Sequence, residues 1–155
     1  MKKILLLFAF SIGALYGTNA QNQLKLGLNI GTAVNYYFGD ANVALGADFS
    51  YLFPVSERLS FGPNAGFTLL LVNGSDNYGL LPITASGRYH FTDKFFAGAD
   101  LGYSLIFIDE VNGGFYYRPK VGYELNTISL LASYIGITQN GGSFSIVSLG
   151  VEFSL

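Results

Sequence analysis

Phe95-Phe96-Ala97-Gly98-Ala99-Asp100-Leu101-Gly102-Tyr103-Ser104-Leu105-Ile106-Phe107 is the stretch whose reading decides the fold. Its odd positions are all apolar or aromatic, whereas the even set includes Gly98, Asp100, Gly102 and Ser104. A period of two belongs to a β-strand whose faces meet different surroundings. The same alternation runs through Leu24–Gly31, Val43–Phe53, Leu59–Leu71, Leu81–Phe91, Phe115–Leu125, Ile128–Tyr134 and Val147–Leu155. Eight strands follow. Turn-forming residues separate them: Gly39–Asn42, Pro54–Arg58, Asn73–Gly79, Thr92–Lys94, Asp109–Gly114, Asn126-Thr127 and Gln139–Gly142. Each connection is short enough for an antiparallel hairpin. Two of them echo one another, since Ser56-Glu57-Arg58-Leu59 returns as Thr92-Asp93-Lys94-Phe95.

Composition narrows the surroundings. Of 155 residues, 50% are hydrophobic and only 12% charged, with 20 Gly, 14 Phe, 11 Tyr and no Cys or Trp. That apolar content excludes disorder, and the missing cysteines exclude a disulfide scaffold. A net charge of −2 offers no footprint for nucleic acid. No metal spacing, phosphate loop or nucleotide motif is present, so no cofactor is expected.

The N-terminus reads as an export signal. Lys2 and Lys3 precede the apolar run Ile4–Leu15, and small residues lead to a cleavage point between Ala20 and Gln21. The apolar run is too short for a spanning helix. The division expected is therefore a signal peptide, 1–20, and one barrel domain, 21–155. Sharing the exported chain among eight strands leaves about 17 residues per strand and connection, which suits tilted spans of about 9–11 residues.

Side-chain size separates a membrane barrel from a soluble one. The smaller face carries Gly27, Gly31, Gly46, Gly62, Gly66, Gly98, Gly102, Gly122 and Gly150, which suit the cramped interior of eight strands. The large apolar set would overfill that interior but would coat an exterior bathed in lipid. Eight charges share the small face: Lys25, Arg88, Arg118 and Lys120 against Asp48, Asp100, Glu124 and Glu152. A basic side chain at mid-depth on a lipid face costs about 2–4 kcal/mol, so all eight are expected in a closed, charge-balanced polar lumen. Aromatic girdles are expected too, with Tyr51, Phe53, Phe61, Tyr89, Phe91, Phe95, Tyr123 and Phe153 by the tight turns. Tyr36, Phe107, Phe115 and Tyr117 lie towards the other end. Pro63 and Pro119 fall inside proposed strands, where strand ends or bulges are expected, and Phe144 is out of phase with Val147, so a bulge or slip is expected near the last loop. Leu131 and Ile135 put bulk on the inward face of the seventh strand.

The C-terminal run Ser148-x-Gly150-x-x-Phe153-x-Leu155 resembles the assembly signal that ends bacterial outer-membrane barrels. With the leader and the eight strands, the chain is similar in layout to the small outer-membrane barrels of the OmpA transmembrane and OmpX types. The Ala20-Gln21 junction and Gly141-Gly142-Ser143-Phe144-Ser145 look like versions found in Bacteroidota. The resemblance implies an all-β, eight-stranded antiparallel up-and-down transmembrane β-barrel, preceded by a cleaved signal peptide. It further implies residence in the outer membrane of a Gram-negative bacterium, insertion by the barrel-assembly machinery, contact with outer-membrane lipid, and both termini in the periplasm. The outward loops would then carry Asp40, Asp76, Asp109 and Glu110, all acidic.

A non-catalytic structural or surface-interaction role is the expectation, with no enzyme activity. A small pore for ions or solutes is the alternative, followed by a lipid-modifying enzyme and a secreted lipocalin-like binder. Catalysis would need a nucleophile and base within hydrogen-bond reach. His90, the sole histidine, has Ser86 four residues away on its face, about 13 Å along a strand and too distant.

Overall fold

The computed structural model describes residues 23–34, 41–72, 77–107, 113–139 and 142–155. Eight strands form: β1 (Gln23–Ala33), β2 (Ala41–Pro54), β3 (Leu59–Val72), β4 (Tyr78–His90), β5 (Phe95–Phe107), β6 (Gly114–Leu125), β7 (Ile128–Gln139) and β8 (Gly142–Ser154). Each pairs antiparallel with its chain neighbour, and β1 pairs with β8, which closes an up-and-down barrel. The expected export leader with its Ala20–Gln21 junction, Tyr36, the expected loop acids Asp40, Asp76, Asp109 and Glu110, and Gly141 lie outside the described residues.

The register fixes the geometry of the wall. From Ser143, partners run Thr138, Phe115, Tyr103, Ile83, Ala65, Phe49, Leu26 and back to β8 at Phe153. The circuit returns ten residues further along β8. With strand spacings of about 4.8 Å and rises of about 3.3 Å, that shear tilts the strands by about 40°.

The two similar turn sequences build the same turn. Val55 and Ser56 donate backbone N–H to the Leu59 carbonyl, as Phe91 and Thr92 do to that of Phe95. Ser56 Oγ accepts from the Arg58 and Leu59 amides, and Thr92 Oγ1 from those of Lys94 and Phe95. A side-chain hydroxyl folding back on its own backbone is what Ser and Thr do well in turns. The third hairpin at this end is tighter: Leu125 pairs with Ile128, and Asn126 takes φ of 55°. Asn tolerates that left-handed region better than most residues.

Prolines disturb the ladder less than their sequence positions suggest. Pro63 and Pro119 both stay within strands and face outward. The β2–β3 ladder lapses between Ser50–Asn64 and Phe53–Phe61 but resumes in the same register. The β6–β7 ladder lapses likewise between Tyr117–Gly136 and Lys120–Ser133. Each missing N–H thus costs one side of its strand, while the other edge stays paired. Neither proline marks a bulge or a strand end.

The expected slip near the last loop is also absent. β7 and β8 pair without a break from Ile128–Phe153 to Gln139–Gly142. Phe144 and Ile146 are buried on the same inward parity as Ser148 and Glu152. The alternation of β8 therefore never breaks; its outer third places large apolar residues inside. The register shift between Ala41 and Val43 lies instead at the start of β2.

Candidate functional site: the barrel interior and its inverted exterior

Inside and outside are reversed relative to a water-soluble protein. Ile83 is 59% exposed and Leu149 64%, whereas Arg88 is 1% exposed and Asp100 0%. Burial alternates along β3 and most of β4 and β7, because neighbouring side chains leave a pleated wall on opposite sides. All eight charges on the Gly-rich face point inward, and the structure brings them together in two groups of four.

The lower group lies towards the short turns. Arg88 on β4 donates from Nη2 to Glu152 Oε2 at 2.8 Å and from Nη1 to Glu124 Oε1 at 3.3 Å. Lys25 on β1 stands 3.1 Å from Glu124 Oε1 and 3.5 Å from Glu152 Oε1. The Arg88 guanidinium also sits 4.0 Å over the centre of the Phe96 ring, a favourable cation–π position. Phe96 reaches in because Gly122 opposite has no side chain; a Cβ there would run into the ring. His90 Nε2 lies 3.3 Å from Glu124 Oε2 at the rim of this group.

The middle group is one layer further out. Arg118 Nη1 donates to Asp48 Oδ1 at 2.7 Å, and Lys120 Nζ to Asp100 Oδ1 at 2.7 Å. A 4.0 Å approach of Arg118 Nη1 to Asp100 Oδ2 joins the two pairs. Ser86 accepts from Lys120, Ser133 accepts from Arg118 Nε, and Asn29 donates to Asp48. Glycine creates the room, since Cβ atoms at Gly27 and Gly46 would collide with Asp48 and Asn29.

Each group holds two cations and two anions, so both are neutral. Desolvating an ion costs several kcal/mol, which only close partners and added hydrogen bonds offset. The pairing crosses strands far apart in sequence: Lys25–Glu124 joins β1 to β6, and Arg118–Asp48 joins β6 to β2. Side chains therefore cross-brace the cylinder.

The outer third is apolar inside, which corrects the expectation of a polar lumen throughout. Ala44, Leu70, Leu80, Tyr116, Ile135, Ile137, Phe144 and Ile146 form one buried cluster across β2, β3, β4, β6, β7 and β8. They occupy the parity that lower down carries the charges. Sequence reading caught only Ile135 of this layer, because large residues on both faces erase the alternation that signals a face.

His90 and Ser86 do not form a nucleophile–base pair. His90 faces Glu124, and Ser86 is engaged by Lys120. Of the C-terminal run, Ser148 is buried beside Ser133, with their hydroxyls 2.8 Å apart. Gly150 pairs with Asn29 across the β8–β1 seam, and Phe153 pairs with Leu26. Leu155 is exposed, and its amide donates to the Leu24 carbonyl.

Neither a family model nor a curated protein sequence matches this chain. Solved structures do. The chain is similar to the outer membrane enzyme PagL, with TM-score 0.68 and 14% identity over 84% of this chain and 99% of that one. It is similar to Ail, the attachment invasion locus protein of Yersinia pestis, with TM-score 0.61 and 9% identity over 89% and 100%. Neisserial surface protein A matches with TM-score 0.51 and 17% identity over 86% and 96%. At such identities the likeness is one of fold: an eight-stranded, closed, antiparallel up-and-down barrel.

Proposed function

We propose that this chain is an integral outer-membrane barrel of a Gram-negative bacterium, without catalytic activity, whose closed body serves a structural or surface-interaction role. The observation that carries the reading is the inversion of polarity: a largely aliphatic and aromatic exterior around eight inward-pointing, paired charges. An apolar surface of that extent is unstable in water but is the lipid-facing band of a spanning barrel. Exposed Phe61, Tyr89, Phe91 and Phe95 at the short-turn end, and Phe107 and Phe115 at the other, match two interfacial girdles. The likeness of fold to outer-membrane proteins supports the same location.

On this reading residues 1–20 direct export, Ala20–Gln21 is cut, and the chain is inserted by the barrel-assembly machinery through its Ser148, Gly150, Phe153, Leu155 run. The short turns and both termini face the periplasm. Three stacked layers inside argue against a pore. Among the described residues, His90 faces Glu124 and Ser86 accepts from Lys120, itself paired with Asp100, which supports a non-catalytic role. The direct test is purification of the cleaved chain. Folded protein is expected only in detergent or bilayers, with an unboiled band that migrates differently from the boiled one on a denaturing gel. A mature chain that stays monodisperse and folded without detergent overturns the proposal.

A further inference from the structure

The exterior is not uniform. Among described strand residues, serines and threonines of outward parity occur at Thr32, Thr138, Ser143 and Ser145, all on β7, β8 and β1; the first three are exposed, whereas Ser145 is buried and bonded by Tyr134. They are neighbours: Thr138 pairs with Ser143, and the Val34 amide donates to the Ser145 carbonyl. Carried around the sheared wall, the register puts them level with Val43, Leu71 and Leu105 on the far strands. Among the described residues, and apart from Val34, the apolar belt on this face therefore stops about 10 Å short of its height elsewhere.

The notch is built, with aromatic walls. Tyr134 Oη donates to Ser145 Oγ at 2.6 Å. Tyr117 lies across Gly136, where a Cβ would strike its ring, and its centroid is 6.2 Å from that of Tyr134. Directly below, on the same strands, an apolar groove of about 560 Å³ runs between Leu28, Ile30, Leu130 and Leu149. Hydroxyls and aromatic faces above an apolar channel match an amphiphile, head uppermost. Among the described residues no charge stands in the notch, which matches a neutral, hydroxylated head rather than a phosphate-bearing one.

We propose that β7, β8 and β1 form a seat for one outer-leaflet lipid with a sugar headgroup, its hydroxyls bonded in the notch and an acyl chain in the groove. The inference rests on the membrane reading above, and the test separates the two. The chain has no Trp, so Leu149→Trp reports on the groove and Leu101→Trp on β5 reports at a similar depth across the barrel. Both variants are reconstituted in phosphatidylcholine bilayers containing a minor fraction of dihexosyl diacylglycerol with brominated acyl chains. Quenching of Leu149→Trp is expected to exceed that of Leu101→Trp by about threefold, the gain from one retained membrane hydrogen bond. Thr32→Val, Thr138→Val and Ser143→Ala together should abolish the excess. Equal quenching at both sites, or an excess that survives loss of the hydroxyls, overturns the seat. Disulfide-linked dimers through Ser143→Cys in the same bilayers also overturn it, in favour of a second copy. Brominated phosphatidylcholine alone should quench both variants; if it quenches neither, the membrane reading itself fails.

Discussion

Arg88 gathers three partners from the lower interior, because one guanidinium meets Glu124, Glu152 and the Phe96 ring. Arg88→Met leaves the Glu124 and Glu152 carboxylates with Lys25 and, at the rim, His90, and a cost of about 3–5 kcal/mol is expected. Adding Glu152→Gln should recover part of the loss, since the stranded charge goes with it. Urea unfolding in detergent micelles, followed by the gel shift, measures both; an Arg88→Met barrel as stable as the parent would refute the pairing. Gly122→Ala tests the neighbouring fit. The new methyl displaces Phe96 from beneath Arg88, with an expected cost of about 1–3 kcal/mol by overpacking. At this scale the sequence was informative about facing and silent about partners. Lys25 lies inward by parity alone, but its meeting with Glu124, 99 positions away, depends on the shear of the closed wall.

Hairpins carry the next set of expectations. Asn126→Val forces a β-branched residue to φ of 55°, which should cost about 1–2 kcal/mol, whereas Asn126→Gly should be nearly neutral. The same micelle unfolding experiment distinguishes them, and equal losses would show that the turn is not the cause. Strand existence and turn positions were legible because alternation and turn residues are local signals, as the matched 55–59 and 91–95 turns show. Continuity was harder to read. Pro63 and Pro119 looked like interruptions because a missing donor is visible in sequence, whereas the intact pairing on the other edge is not. Phe144 looked out of phase because an inward aromatic was read as outward; with the outer third apolar inside, the phase is regular.

For the molecule as a whole, the three interior layers predict a non-conducting barrel. No sustained single-channel steps are expected from the purified protein in planar bilayers. Ile137→Gly, Phe144→Ala and Ile146→Gly together strip much of the apolar layer and should admit water, so that brief openings appear while the tetrads remain. Conductance in the parent would overturn the closed body; its absence in the triple variant would place the seal lower, at the charges. The neutrality of each tetrad also bears on how the barrel behaves in an electric field. A membrane potential does work on a group in proportion to the charge it moves. Lys25 and Arg88 shifting together with Glu124 and Glu152 transport none, so such a displacement is electrically silent, and voltage has no handle with which to pull the stopper from the bore.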